Sequence, residues 1–307
     1  MRVFITGASG YIGSATVKEA IKRGHTVTGL ARNDESAAKL RALGATPHTG
    51  DLNDIPSLVE AAKQSDAVLH LAFIHDFTKY SESGQIDLKA VEAMTAELKG
   101  KVFIGTSGTL ITARDDRPAN ELDAADLNGM NAIRGNSEVA VVEAAKRGVK
   151  SAVIRLSPTV HSVDDTGFTP ALVTIARKTG VSGYPSTSNG ENYWPAVHRD
   201  DAAKLYVLAM EKLADGSLEA GHYLHAAAEL ITTKQIAAAI AERLNLGEPK
   251  PQELSHFGML AHFFGRDNQI SSELTRQWTG WNPTGPSLVE DIKNPEFANS
   301  PSPYASM

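Results

Sequence analysis

The segment Thr6-Gly7-Ala8-Ser9-Gly10-Tyr11-Ile12-Gly13 places three glycines at the spacing G-x-x-G-x-x-G, directly after an apolar run and ahead of a helical pattern. These residue types in this order suit phosphate binding. Gly7 permits a tight turn, Gly10 lets the backbone approach a pyrophosphate, and Gly13 lets the following helix pack close to the strand. The helix that opens among Ser9, Tyr11 and Ile12 presents free N–H groups and a positive dipole end to the phosphates. The alternative is a tight strand–helix turn that holds no ligand. A ribose with a free 2′-OH calls for Asp or Glu at the end of the second strand, and a 2′-phosphate calls for Arg. The chain reads Gly29-Leu30-Ala31-Arg32 at that place, with Asp34 and Glu35 just beyond. Arg32 favours NADP over NAD, and the two acids keep NAD as the alternative.

Several other chemistries find no support. The chain has no cysteine, which excludes disulfides, thiolate metal sites and a cysteine nucleophile. No G-x-S-x-G elbow is present, so a hydrolase triad of that kind is not expected. His222 and His225 are three apart on an expected strand and face opposite sides, and neither Asp164-Asp165 nor Asp200-Asp201 has a converging partner at metal spacing. No metal is expected. A formal charge of −6, from 30 basic and 36 acidic side chains, argues against nucleic acid or an anionic membrane as partner. No stretch approaches 18 apolar residues and the amino terminus lacks a signal-peptide pattern, so the expectation is a cytoplasmic protein.

The elements that must carry the glycine loop alternate. Strands are expected at 2–6, 25–30, 45–49, 67–71, 101–105 and 151–156, with helices over 14–23, 34–43, 56–63, 85–98 and 129–147 between them. Alternation at this spacing requires a parallel sheet covered on both faces, an α/β Rossmann-type doubly wound fold. Past residue 160 the pattern becomes irregular over 161–195, with one helical piece at 169–178. A helix at 200–212 and a strand at 222–227 return to the sheet, and Thr232 and Thr233 open a helix over 232–244. The expected domains are 1–160 with 196–228 for the dinucleotide, 161–195 with 229–295 as a smaller substrate lobe, and 296–307 as a flexible tail.

Gly50-Asp51-Leu52 after the third strand, His70-Leu71-Ala72 after the fourth, Thr106-Ser107 after the fifth, Val197-His198-Arg199-Asp200-Asp201-Ala202 and Gly280-Trp281-Asn282-Pro283 follow the glycine loop in order. Together they resemble the short-chain dehydrogenase/reductase superfamily, in its extended branch of nucleotide-sugar epimerases, dehydratases and ketone reductases. The resemblance covers nearly the whole chain. It implies that Asp51 and Leu52 lie near the adenine, that Leu71 and Ala72 line the passage to the nicotinamide, and that Leu156 to Val160, with Pro158 between them, flank that ring. It also allows a homodimer through two long helices.

That family's chemistry rests on Tyr-x-x-x-Lys followed four residues later by Glu, which is one helical face. The face here reads Met130, Arg134, Glu138. Arg134 keeps the positive charge for the nicotinamide ribose, whereas Met130 has no proton to give. If hydride transfer occurs, another donor must serve. Ser107 matches the family's catalytic hydroxyl, or else caps a turn, and Thr109 is a second hydroxyl on that loop. His161 follows Pro158-Thr159-Val160 and could titrate near neutral pH, or else pack. His75, Tyr193 and Trp194 are candidate substrate contacts, with packing as the alternative, and His198 lies in a segment that is structural in most relatives. The expected function is an NADP-dependent oxidoreductase acting on a small or medium carbonyl, imine or activated alkene. The alternatives are a non-catalytic NADP redox sensor, or an epimerase, dehydratase or isomerase that keeps its nucleotide.

Overall fold

The computed structural model describes residues 1–112, 114, 116–297 and 302. Its first half alternates as expected. Arg2–Thr6 (β1), Tyr11–Lys22 (α1), Thr26–Ala31 (β2), Asp34–Ala42 (α2), Thr46–Thr49 (β3), Ile55–Gln64 (α3), Ala67–His70 (β4), Tyr80–Ala96 (α4), Val102–Gly108 (β5), Asn131–Ala144 (α5) and Lys150–Leu156 (β6) follow one another. Local chemistry sets several starts. Asn33 and Ser36 form a capping box at α2, and the Asp54 side chain accepts from the Ser57 N–H at α3.

Helix α4 begins five residues before the position expected from sequence. Its first turns, Tyr80-Ser81-Glu82-Ser83-Gly84, have no apolar period, yet Ser83 and Gly84 are buried. A Cβ on Gly84 would stand 2.4 Å from Ile133 Cγ2, so close packing on α5 holds this stretch helical.

Strands β1 to β6 join His222–Ala226 (β10) in a seven-stranded sheet of order β10-β6-β5-β4-β1-β2-β3, all neighbours parallel. The chain winds outward from β1 to β3 and returns to β4, so a crevice opens at the carboxyl ends of β1 and β4. Helices cover both faces of the sheet, and β1 and β4 are apolar and buried on both.

The region from 161 to 195 is not irregular. Thr159–His161 (β7), Phe168–Thr179 (α6), Gly183–Pro185 (β8) and Tyr193–His198 (β9) precede Arg199–Asp215 (α7), which packs on α1. After β10 come Glu229–Thr232 (β11), Thr233–Arg243 (α8), Lys250–Gln252 (β12), Ala261–Phe264 (α9), Glu273–Thr279 (α10) and Leu288–Lys293 (α11). Strands β11, β9 and β7 make a small sheet, with β9 between an antiparallel and a parallel neighbour, and β12 pairs with β8. These short strands pair over long sequence separations, so no local pattern announces them.

A second core gathers Trp194, Ile236, Phe257, Phe264 and Ile292. Phe297 is fully buried in it although the tail was expected to begin at 296; the tail residues 298–301 and 303–307 lie outside the described residues. The two late segments meet: Asp201 Oδ2 accepts the N–H groups of Thr284 and Gly285, and Trp281 Nε1 donates to the Asp201 carbonyl at 2.8 Å. Among the described residues no helix is long and apolar enough to cross a membrane.

Candidate active site

The glycine loop turns where β1 ends. Gly7 has φ +68°, and a Cβ there would stand 2.9 Å from the Ala72 nitrogen that emerges from β4. A Cβ on Gly13 would stand 2.0 Å from the Gly7 carbonyl oxygen, so α1 sits directly on the turn only because residue 13 has no side chain. Gly10 is the N-cap of α1, with no side-chain cap and no acid in the first turn. The exposed helix end and the cradle that a Cβ would fill both fit a dinucleotide phosphate.

From this loop a cavity of about 1100 Å³ runs along the carboxyl ends of the strands. Gly7, Ser9, Gly10, Tyr11, Ile12 and Gly13 line one end, with Arg32 and Asn33 from the end of β2 and Asp51, Leu52 and Asn53 after β3. Leu71 and Ala72, and across from them Pro158 and Val160, line its middle. Asp34 and Glu35 turn into the first turn of α2, where Glu35 pairs with Lys39 at 2.8 Å.

Beyond the middle lies a cluster fixed by buried polar ties. Thr106 Oγ1 donates to the His70 carbonyl at 2.7 Å and lies 2.8 Å from Tyr206 Oη. Because the threonine proton goes to that carbonyl, Tyr206 donates to Thr106 and its own proton is committed. His70 bridges Thr6 Oγ1 at 2.8 Å and Asp87 Oδ1 at 3.1 Å. Arg134 donates from Nη2 to the Thr106 carbonyl at 2.6 Å, stands 3.8 Å from Asp87 and lies over the Phe73 ring at 3.9 Å. Its buried Nη1 has no hydrogen-bond partner, which suits a ribose hydroxyl. Ser107 is 4% exposed and lines the same cavity, and its buried hydroxyl has no partner. An orphaned buried hydroxyl costs about 1–3 kcal/mol, a cost that a bound oxygen would remove. Met130 stands 55% exposed at the cavity edge, just before α5.

The far end is apolar. Phe73, Ile74, Leu110, Ile111, Phe168 and Phe263 wall it, with Arg266 at its edge. Among the sequence candidates, His75 lies here, with its ring 5.3 Å from Phe73. Thr109 also lines the cavity, but its oxygen accepts from Asn268 Nδ2 at 3.0 Å.

Three expected site residues fall elsewhere. His161 is on β7 next to cavity-lining Val160, and successive strand side chains face opposite ways. Its ring is fully buried behind the cleft, with Nδ1 2.7 Å from Asp291 Oδ2 and the ring centroid 5.6 Å from that of His198. Tyr193 and Trp194, in the stretch expected to be irregular, are on β9, and neither lines the cavity. Trp194 is a core side chain whose Nε1 donates to Thr159 Oγ1 at 2.7 Å.

Sequence reading missed Phe73, Tyr80, Asp165, Phe168, Phe263 and Arg266. Phe73 and Ile74 directly follow Leu71-Ala72 and were within reach of that motif. Phe263, on α9, and Arg266, just beyond its end, come from a distant segment without one. Asp165 is buried at the cavity wall; its Oδ1 accepts the Gly167 N–H at 2.7 Å and its Oδ2 has no partner. Burial, and then the charges of Asp164 and Asp291, push its carboxyl from 3.8 up to about 7. The native state therefore holds a proton here that the unfolded chain has released, and native stability falls as pH rises from about 4 to 7. Asp165→Asn is expected to remove that fall. Urea midpoints should favour the variant at pH 8, by on the order of 3 kcal/mol, and coincide with wild type near pH 4.

The model of the NAD dependent epimerase/dehydratase family matches residues 3–223. An uncharacterized protein of Schizosaccharomyces pombe is 40% identical over 302 residues, 97% of this chain and 100% of its own length. A Stigmatella aurantiaca enzyme named as 4-hydroxy-2-methyl-3-oxo-4-farnesyl-3,4-dihydroquinoline-1-oxide ketoreductase is 30% identical over 190 residues, 58% of this chain and 55% of its own. Among solved structures, the UDP-glucose 4-epimerase of Thermotoga maritima with UDP-glucose superimposes with a TM-score of 0.72 at 18% identity, over 95% of this chain and 96% of that one. A seven-stranded parallel sheet wound in this order, a glycine cradle at its switch point and a family match over most of the chain agree: the protein belongs to the NAD dependent epimerase/dehydratase family.

Proposed function

We propose that this chain is an NADPH-dependent reductase of apolar carbonyl compounds. One observation carries the reading: the aromatic and aliphatic side chains of Phe73, Ile74, Leu110, Ile111, Phe168 and Phe263 line the same cavity as Ser107, whose buried hydroxyl has no partner. Such a wall binds an apolar body, and the hydroxyl orients one oxygen on it. The ketoreductase relative, whose name specifies a substrate with a farnesyl chain, supports the same substrate class.

A reduced nicotinamide bound along the cavity supplies the hydride. The chain's own residues do the rest: the glycine loop holds the pyrophosphate, Arg134 holds the ribose, and Ser107 orients the carbonyl. Arg32 lines the cavity just after β2, whereas Asp34 and Glu35 do not line it, and this favours a 2′-phosphate. Met130 at the tyrosine position favours a second reading, a nucleotide sensor without turnover.

Titration with NADPH and NADH, followed by a panel of apolar ketones and aldehydes, tests the proposal. Consumption of NADPH with at least one of them is the expected result. Tight NADPH binding with no turnover moves the function to the sensor. Arg32→Ala should weaken NADPH about 10–100-fold, the value of a lost charged contact, and leave NADH nearly unchanged. Equal losses for both nucleotides would remove the 2′-phosphate assignment.

A further inference from the structure

With Met130 in place of the phenol, the charge that the helical face of α5 presents to the cavity is that of Arg134. That charge has a buried counter-ion on another helix. Asp87 of α4 is buried, and its Oδ2 lies 3.8 Å from Arg134 Nη1. Its Oδ1 is 3.1 Å from His70 Nε2. A carboxylate has no proton to give, so Nε2 carries the proton and donates to Asp87. In the neutral imidazole Nδ1 then accepts from the Thr6 hydroxyl at 2.8 Å, and Thr6 Oγ1 accepts the Ala72 N–H at 3.2 Å. The acid is thus fixed to the ends of β1 and β4, while Arg134 is fixed to β5 through the Thr106 carbonyl at 2.6 Å.

Both charges reach the cavity wall. Burial, and then Arg134, lower the pKa of cavity-lining His75, and Asp87 acts in the opposite sense. At Tyr80 burial raises the phenol, Arg134 lowers it, and Asp87 again opposes Arg134. The arginine acts more strongly than the acid at both side chains, so the wall turns the positive end of an ion pair toward the cleft. Asp87 itself stays ionised. Burial would raise its carboxyl, but Arg134 and His70 together outweigh burial and hold it below the ordinary value.

The oxidised nicotinamide ring carries a positive charge that the reduced ring lacks. A guanidinium without a counter-ion beside that ring would favour the reduced state strongly, and one whose charge is partly offset favours it less. We propose that Asp87 is a specificity-determining residue for the redox state of the bound dinucleotide, offsetting the charge that Arg134 presents to the nicotinamide end. Asp87 does not line the cavity, so it acts through Arg134 as a positioning residue. The assignment rests on the reading that Arg134 holds the nicotinamide ribose, and goes beyond it to the balance between the two cofactor forms.

The test is calorimetric titration of NADP and NADPH into wild type, Asp87→Asn, Arg134→Gln and the double variant, read as the ratio of the NADP Kd to the NADPH Kd. Asp87→Asn keeps the shape and still accepts from His70. It should raise the ratio about tenfold, the scale of one charge at an effective dielectric of about 20. Arg134→Gln should lower the ratio, and the double variant should fall between the two single ones. Damage to the fold weakens both nucleotides alike and leaves the ratio in place, so the opposite signs separate charge from structure. An unchanged ratio in Asp87→Asn overturns the assignment, as do shifts of the same sign in both single variants. Should Asp87→Asn fail to fold, Arg134→Gln that weakens both nucleotides at an unchanged ratio overturns it as well. Arg134→Gln that leaves both Kd values unchanged removes the ribose contact, and with it the reading on which the assignment rests.

Discussion

Gly13→Ala is expected to abolish dinucleotide binding and to destabilise the fold. The new methyl would stand 2.0 Å from the Gly7 oxygen, 2.7 Å from the Gly7 carbonyl carbon and 2.9 Å from Ala8 Cα. All three are backbone atoms just past β1, whose residues Val3 to Thr6 are buried, so no side chain can swing aside. Either α1 lifts off the turn or the turn unwinds, and both carry the N–H groups away from the phosphates. NADPH affinity should fall at least about 100-fold, because the pyrophosphate contacts are lost as a set. Gly10→Ala makes a graded comparison, with a single contact at 3.1 Å, and should cost less stability. A Gly13→Ala protein that binds NADPH within threefold of wild type, at an unchanged Tm, would refute the cradle.

Glu138→Ala should be nearly as damaging, through a different physical route. Arg155 Nε donates to Glu138 Oε2 at 3.0 Å and its Nη2 pairs with Oε1; both side chains are completely buried. Arg155 Nη1 also reaches the Asp123 carbonyl at 2.7 Å, and its guanidinium lies over Tyr223 at 3.8 Å. His225 completes the group. Burial, and then Arg155, push its pKa down to about 3, so it stays neutral. Its Nδ1 sits 2.7 Å from the Ser271 carbonyl and donates there, which leaves Nε2 to accept from Arg155. Removing Glu138 strands a buried guanidinium, which costs about 3–5 kcal/mol. Replacing both partners, as in Glu138→Leu with Arg155→Met, should recover most of that loss, since the charge and its partner then leave together. Denaturant midpoints measure both. A double variant as unstable as the single one would show that packing, and not the uncompensated charge, is the larger effect.

The ion pair also explains why Glu138 survives on a helical face whose other two expected residues are replaced. It ties α5 to β6, so it holds the helix that carries Arg134, whatever happens at Met130. The sheet and the glycine cradle were legible from sequence for a local reason. An apolar run, a glycine turn and a helix start lie within twelve residues, and each requirement acts on its near neighbours. Arg32 and Leu71-Ala72 were legible for a related reason, since parallel strands end together and a strand-end motif must reach the crevice.

The errors have an equally physical origin. His161 was placed in the cleft because it follows Val160, but β7 pairs in register with β9, and that pairing decides which face meets the cavity. A shift of one residue on a strand exchanges inside for outside. Trp194 falls in a stretch that reads as irregular because the hydrogen bonds that make β9 a strand come from β7 and β11, more than thirty residues away on either side.

By itself, then, the amino-acid sequence determined a parallel sheet, a dinucleotide cradle at its switch point, and the absence of the usual tyrosine from its helical face. Periodicity, glycine geometry and residue chemistry are properties of short segments. Only tertiary packing decided which side chains line the cavity. Phe73, Tyr80, Phe168 and Phe263 come from four separate segments and line one cavity, and no spacing within the chain records that arrangement.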